Sequence, residues 1–237
     1  MSAFKPSKTN DGAEKLAECI RPLFASDQIV ELRALDVRLG RGGPHVEAGF
    51  FDFDHLLDMC SEAQRLTPIS KGVYFTLNAV NPQLLARCCN HTQWAGSGSL
   101  TKDKDIIRRR FLLVDADPIR DALVSSTDAE KAESLTMITT ARSFLRDRGW
   151  TDPILADSGN GYHLLYRIDE PVDDGDVIKR CLQALAARFD TDRVKIDTSV
   201  HNASRICKFP GTWARKGDST KDRPHRQSRI IEFPEGL

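Results

Sequence analysis

The chain has 237 residues, 40% of them hydrophobic and 29% charged, with 34 basic residues balanced by 34 acidic ones. This supports one globular unit or two small subdomains sharing a core, and excludes a strongly basic tail-type nucleic-acid binder and an acidic disordered chain. No apolar run reaches the roughly 18 residues of a membrane span, and the opening MSAFKPSKTNDGAEK lacks the apolar core of a secretion signal, so a cytoplasmic protein without a membrane partner is expected.

Asp11 is placed to cap a helix through about Phe24, with Leu16, Ile20 and Leu23 as its apolar stripe. Gln28 to Val37 and Val46 to Phe53 read as strands around a Gly40–Pro44 turn, and Asp52 or Asp54 opens a helix to about Leu66. Gly72 to Leu77 is a compact strand, and Pro82 opens a short helix to about Cys89. The polar stretch from Asn90 to Asp105 is the expected loop between two parts of one domain, 1–100 and 101–237. Phe111 to Val114 is a buried strand ending in Asp115-Ala116-Asp117-Pro118. Thr127, with Glu130 three residues on, caps a helix that Gly149 stops. Strands from Pro153 to Ala156 and Tyr162 to Ile168 flank the turn Ser158-Gly159-Asn160-Gly161. A helix from Asp174 to Phe189 and a strand from Val194 to Ile196 lead to Asp197. The pattern is α+β with an antiparallel or mixed sheet and polar motifs at strand ends.

The six cysteines, Cys19, Cys60, Cys88, Cys89, Cys181 and Cys207, show no CxxC or Cys/His spacing, so reduced, mostly buried thiols and no structural zinc are expected. Charge is unevenly spread: His201 to Ile230 holds eight Lys/Arg against two Asp, a local basic patch.

Three constellations carry chemistry. In FLLVDADP, carboxylates at i and i+2 share one strand face about 7 Å apart. That spacing suits two divalent ions about 4 Å apart, although Asp-Pro also favours plain turns. In SGNGYHLLY, two glycines bring backbone N–H groups near a ligand, and alternation puts His163 opposite to Tyr162 and Leu164; a hairpin turn would explain the same letters. After Asp197, Asn202-Ala203-Ser204-Arg205-Ile206-Cys207-Lys208 offers a planar fork and a point charge that suit a triphosphate, or serve as surface cations.

The order hhhDhD, small-x-His, then hD followed by Asn-x-x-Arg-x-x-Lys resembles the archaeo-eukaryotic primase superfamily, in its phage- and plasmid-type primase-polymerase branch, from about Gly72 to Phe233. The resemblance implies an RNA-recognition-like catalytic sheet packed on a smaller α/β N-terminal subdomain. It implies that Asp115, Asp117 and Asp197 hold two Mg²⁺ or Mn²⁺ ions for nucleotidyl transfer. It assigns Ser158, Asn160, Gly161, His163, Asn202, Arg205 and Lys208 to the incoming dNTP or NTP. Arg215, Lys216, Arg223, His225 and Arg226 would follow a single-stranded DNA template and its primer. Related proteins often continue into a helical priming domain or a helicase, which are the further partners implied. Tyr162, Tyr166 and Phe209 are the candidates for sensing the ribose 2′-hydroxyl. A haloacid dehalogenase-type phosphatase would leave His163 and Arg205 unexplained. A polymerase β-type transferase would need Gly98-Ser99 to open a helix. A non-catalytic replication-initiator or DNA-binding module has no use for three aspartates at strand ends.

Overall fold

The computed structural model describes residues 10–40 and 42–236. The first half contributes α1 (Asn10–Ile20), β1 (Val30–Val37), β2 (His45–Phe51), α2 (Leu56–Leu66), β3 (Gly72–Thr76), β4 (Ala79–Val80) and β5 (Gln93–Trp94). The second contributes β6 (Ile106–Pro118), α3 (Asp128–Arg146), β7 (Ile154–Asp157), β8 (Tyr162–Glu170), α4 (Val177–Phe189), β9 (Val194–Ile196), β10 (Ile206–Lys208), β11 (Trp213–Ala214), β12 (Arg226–Gln227) and β13 (Arg229–Glu232).

Local chemistry accounts for several boundaries. Asp52 accepts hydrogen bonds from the N–H groups of Asp54 and His55, starting a 3₁₀ turn that runs into α2. Thr127 and Glu130 form the expected reciprocal capping box on α3. The helix expected from Pro82 is a 3₁₀ turn, Pro82–Arg87, because Asn81 caps it and Cys88 is already extended.

Two sheets result. One has the order β10-β3-β1-β2-β5, the other β13-β7-β8-β6-β4, with β9 also paired to β6. Every pairing between these strands is antiparallel, so of the two expected sheet types the mixed one is not formed. Helix α2 packs on the first sheet and α1 on α2, while α3 and α4 cover the second sheet. β10, from the second half of the chain, completes the edge of the first sheet beside β3. β4, from the first half, pairs with β6 in the second. One apolar core runs through both sheets, from Leu32, Phe51 and Phe75 to Leu112, Val114 and Leu164.

The 90–105 stretch is more ordered than its composition suggests. Gln93–Trp94 pairs with β2, and the Thr101 N–H is held by the buried Glu31 carboxylate at 2.9 Å. All six cysteines are free thiols; Cys60, Cys88 and Cys207 are buried, while Cys19 and Cys89 are exposed, so "mostly buried" holds for only half of them. No helix among the described residues is long and apolar enough to cross a membrane.

Candidate active site

The site is built on β6. Alternation puts Leu112, Val114 and Ala116 on the face under α3, where Ser134 Oγ donates to the Ala116 carbonyl at 2.6 Å. Leu113, Asp115 and Asp117 therefore point the other way, into a cavity of about 400 Å³ between the two sheets. The strand runs from Ile106 through both aspartates, longer than the apolar run Phe111–Val114 that marks it in the sequence. β9 pairs with residues 116–118 and carries the ladder through to Pro118.

His163 on β8 is directly opposite Asp115. Its Nε2 is 3.4 Å from Asp115 Oδ1, and its Nδ1 is 3.4 Å from Cys207 Sγ on β10. Burial works against the imidazolium, but the Asp115 carboxylate and the Cys207 sulfur outweigh it and hold His163 well above its ordinary value. Burial likewise works against ionised Asp115; His163, then Lys216 and Arg205, prevail and keep it low. Asp117 goes the other way. Burial and the Asp115 charge push its carboxyl up, against Lys216 at 3.8 Å and Arg120 at 3.3 Å. Asp197 follows β9; its N–H donates to the Asp115 carbonyl at 2.8 Å, and its Oδ1 accepts from the Ser199 N–H at 2.8 Å. The three carboxylates line one cavity, yet no three His, Cys, Asp or Glu groups among the described residues stand close enough to form a ready ligand cluster.

The turn after β7 lies against this strand. Gly161 is so close that a Cβ there would sit 2.4 Å from the Ala116 carbonyl oxygen. Gly159 has φ +94°, and its Cβ would be 2.7 Å from that of Ala214. Ser158 Oγ accepts from the Gly161 N–H at 3.0 Å and faces the cavity. Asn160 also borders the cavity, but its Oδ1 is taken by the Ser126 N–H at 2.9 Å, tying the turn to the entry of α3.

The cations divide into two groups. Arg205, Lys208, Arg215 and Lys216 line the cavity. Asn202 does not; its Oδ1 accepts from Arg205 Nε at 2.9 Å and so orients that guanidinium. Lys208 is 7% exposed, its Nζ donating to the Trp213 carbonyl at 2.8 Å and lying 5.1 Å above the Tyr74 ring. Burial, reinforced by Arg215, brings its ammonium down to about 7. Arg223, His225 and Arg226 stand apart from the cavity. Arg223 pairs with Glu130 at 2.8 Å and Arg226 with Asp128 at 2.6 Å, both at the N-terminus of α3, while His225 Nε2 is 2.8 Å from the Gly217 carbonyl.

Of the expected ribose sensors, Tyr166 packs on Trp150 and Phe209 on Phe75 in the core, and Tyr162 lies under Lys131. None borders the cavity. Tyr74 does, together with Lys71 and Cys207. Alternation within Gly72–Thr76 already separates Tyr74 from Val73 and Phe75, but no neighbouring motif marks it as chemical.

No protein-family model and no curated protein matches the chain. Among solved structures, it aligns with the polymerase domain from Mycobacterium tuberculosis Ligase D in complex with DNA. The two are 15% identical, with a TM-score of 0.46, over 92% of this chain and 80% of that one.

Proposed function

We propose that the chain is a template-directed nucleotidyltransferase that adds dNTPs or NTPs to a primer, or starts one, on single-stranded DNA. One observation carries the reading: Asp115, Asp117 and Asp197 share a cavity with Arg205, Lys208, Arg215 and Lys216. A site that only gripped phosphate would gain nothing from three carboxylates, which repel it. A site that also bound divalent ions needs both signs of charge.

The donor chemistry suits Mg²⁺ or Mn²⁺: the groups are hard oxygens, and the upward push on Asp117 by Asp115 is a like-charge repulsion that a cation relieves. Asp115 and Asp117 would hold the ions, with Asp197 as a third ligand through the oxygen that Ser199 leaves free. Bound there, two such ions supply activation of an attacking hydroxyl and neutralisation of a leaving pyrophosphate.

The remaining steps belong to the chain's own groups. Arg205, fixed by Asn202 and by the Ser199 carbonyl at 2.7 Å, presents its fork to phosphate oxygens. Protonated His163 donates from Nε2, now toward Asp115 and, with nucleotide in place, toward a phosphate oxygen. Ser158 and the backbone of the glycine turn close the same wall. The choice of base is left to pairing with the template.

A gel assay with template, labelled primer, dNTPs or NTPs, Mg²⁺ or Mn²⁺ and a no-primer lane tests the proposal. Metal-dependent extension is the expected result. DNA binding with no extension under any metal would leave the chain a binding module and sink the catalytic reading.

A further inference from the structure

A second cavity, of about 380 Å³, lies at the other end of β6, between the 23–28 segment and the β6/β8 pair. Gln28, Arg110, Phe111, Arg167 and Asp169 contribute to its walls. Gln28 is 3% exposed; its Oε1 accepts weakly from the Ala25 N–H at 3.4 Å, and its Nε2 has no hydrogen-bond partner. Arg110 Nε is also buried without a partner. A bulge in β6 between Arg109 and Phe111 sets the direction of Arg110, and Asn78 Oδ1 fixes it by accepting the Arg110 N–H at 2.8 Å. Arg167 lies over the Phe111 ring at 5.5 Å and donates to the Pro22 carbonyl; among the described residues it has no carboxylate partner. Asp169 is shared between Arg108 at 2.7 Å and Arg110 at 3.0 Å. Arg108 and Arg110 thus share the cavity's one carboxylate, and Arg167 is left without one.

Every unmatched group in this cavity is a donor. The buried Gln28 amide N–H and Arg110 Nε without partners are costly, and the exposed Arg167 guanidinium beside them, which has no carboxylate, favours an anion. The complementary ligand carries several acceptor oxygens and negative charge, which is the chemistry of a phosphoryl group. We propose that this cavity is a phosphate-binding site, distinct from the Asp115 cavity and independent of the reaction proposed above. A free phosphate and a phosphodiester of a nucleic-acid strand present the same oxygens.

Inorganic phosphate is titrated into the full chain by calorimetry, with hydrogen exchange read in parallel. Phosphate should protect amides in 23–28 and 165–169, and Arg205→Ala, in the other cavity, should leave that protection intact. Gln28→Met and Arg167→Gln should each weaken phosphate binding about tenfold or more, the range for a hydrogen bond to a charged group. Without phosphate, Gln28→Met should melt about 2–4 °C higher, because a buried orphan donor is gone. A short single-stranded oligonucleotide separates the sources: if the same variants weaken it, the site holds a strand phosphate, and if they weaken inorganic phosphate alone, it holds a free one. Should Arg167→Gln fail to fold, Gln28→Met decides. Wild-type phosphate affinity in Gln28→Met, or a lower melting temperature, overturns the proposal.

Discussion

Asp117 and Lys208 show how single residues here trade stability for charge. Asp117 is pushed up by burial and by Asp115, so its ionised form is the strained one in the folded state. Asp117→Asn should therefore abolish primer extension while melting no lower than wild type, a common mark of functional groups. Asp115→Ala should also abolish extension. If either variant extends at the wild-type rate, the carboxylates are not the reactive centre. Lys208 gives a pH test. Its folded value of about 7 lies below the ordinary 10.5, so between these limits the unfolded chain binds a proton that the folded chain does not. Stability from this group accordingly rises with pH from about 7 to 10, and Lys208→Met should flatten that rise in thermal melts. A bound triphosphate draws the proton back, so nucleotide KM should climb with pH above 7 in wild type but not in Lys208→Met.

At the scale of elements, α3 couples the glycine turn to the aspartate strand. Ser126 holds Asn160, Ser134 holds the Ala116 carbonyl, and between them Lys131 Nζ meets Asp157 Oδ1 at 2.5 Å in a buried pair. The same Asp157 oxygen accepts the Gly159 N–H at 2.7 Å. Lys131→Met leaves the buried Asp157 carboxylate with only the exposed Arg229 at 3.9 Å as a counter-ion among the described residues and should cost up to about 3–5 kcal/mol in chemical denaturation. Adding Asp157→Asn should recover much of that loss, since asparagine keeps an acceptor for Gly159 but no charge. A double variant no more stable than Lys131→Met would mean that packing, not charge, sets the cost. Much at this scale was legible locally: the capping box is a four-residue signal, the Val194–Ile196 strand matches its expected limits, and period-2 alternation separated His163 from Tyr162 and Leu164, although only the register of β8 on β6 set it opposite Asp115. The short strands β4, β5 and β10 to β13 were not. Unlike β7 and β9, whose apolar letters mark them, these runs of two to four residues carry no readable period and exist only because a partner ladder accepts them.

For the whole molecule, the basic segment divides by partner. Arg223 and Arg226 are committed to Glu130 and Asp128, whereas Arg215 and Lys216 border the cavity. Neutralising Arg215 and Lys216 together should reduce the slope of log affinity against log salt for single-stranded DNA by about 1.4, two phosphate contacts' worth. Neutralising Arg223 and Arg226 should leave the slope unchanged and lower the melting temperature instead. Equal loss of slope in both pairs would place the DNA path along α3.

The sequence by itself determined what short-range physics can encode: the order and type of the long elements, the caps, and the shared face of Asp115 and Asp117. Those features depend on residues within about one turn or one alternation of each other. Only the tertiary structure decided which charges are available. Glu130 and Arg223 are 93 residues apart in the chain, and Cys207 and His163 are 44 apart. Nothing local marks Arg223 as already paired, or Lys208 as buried against Tyr74. Nor does it mark β10 as the strand that brings Lys208 and Cys207 from the second half of the chain onto the sheet of the first. Those outcomes follow from long-range pairing, where a side chain's charge and exposure are set by whatever the fold brings against it.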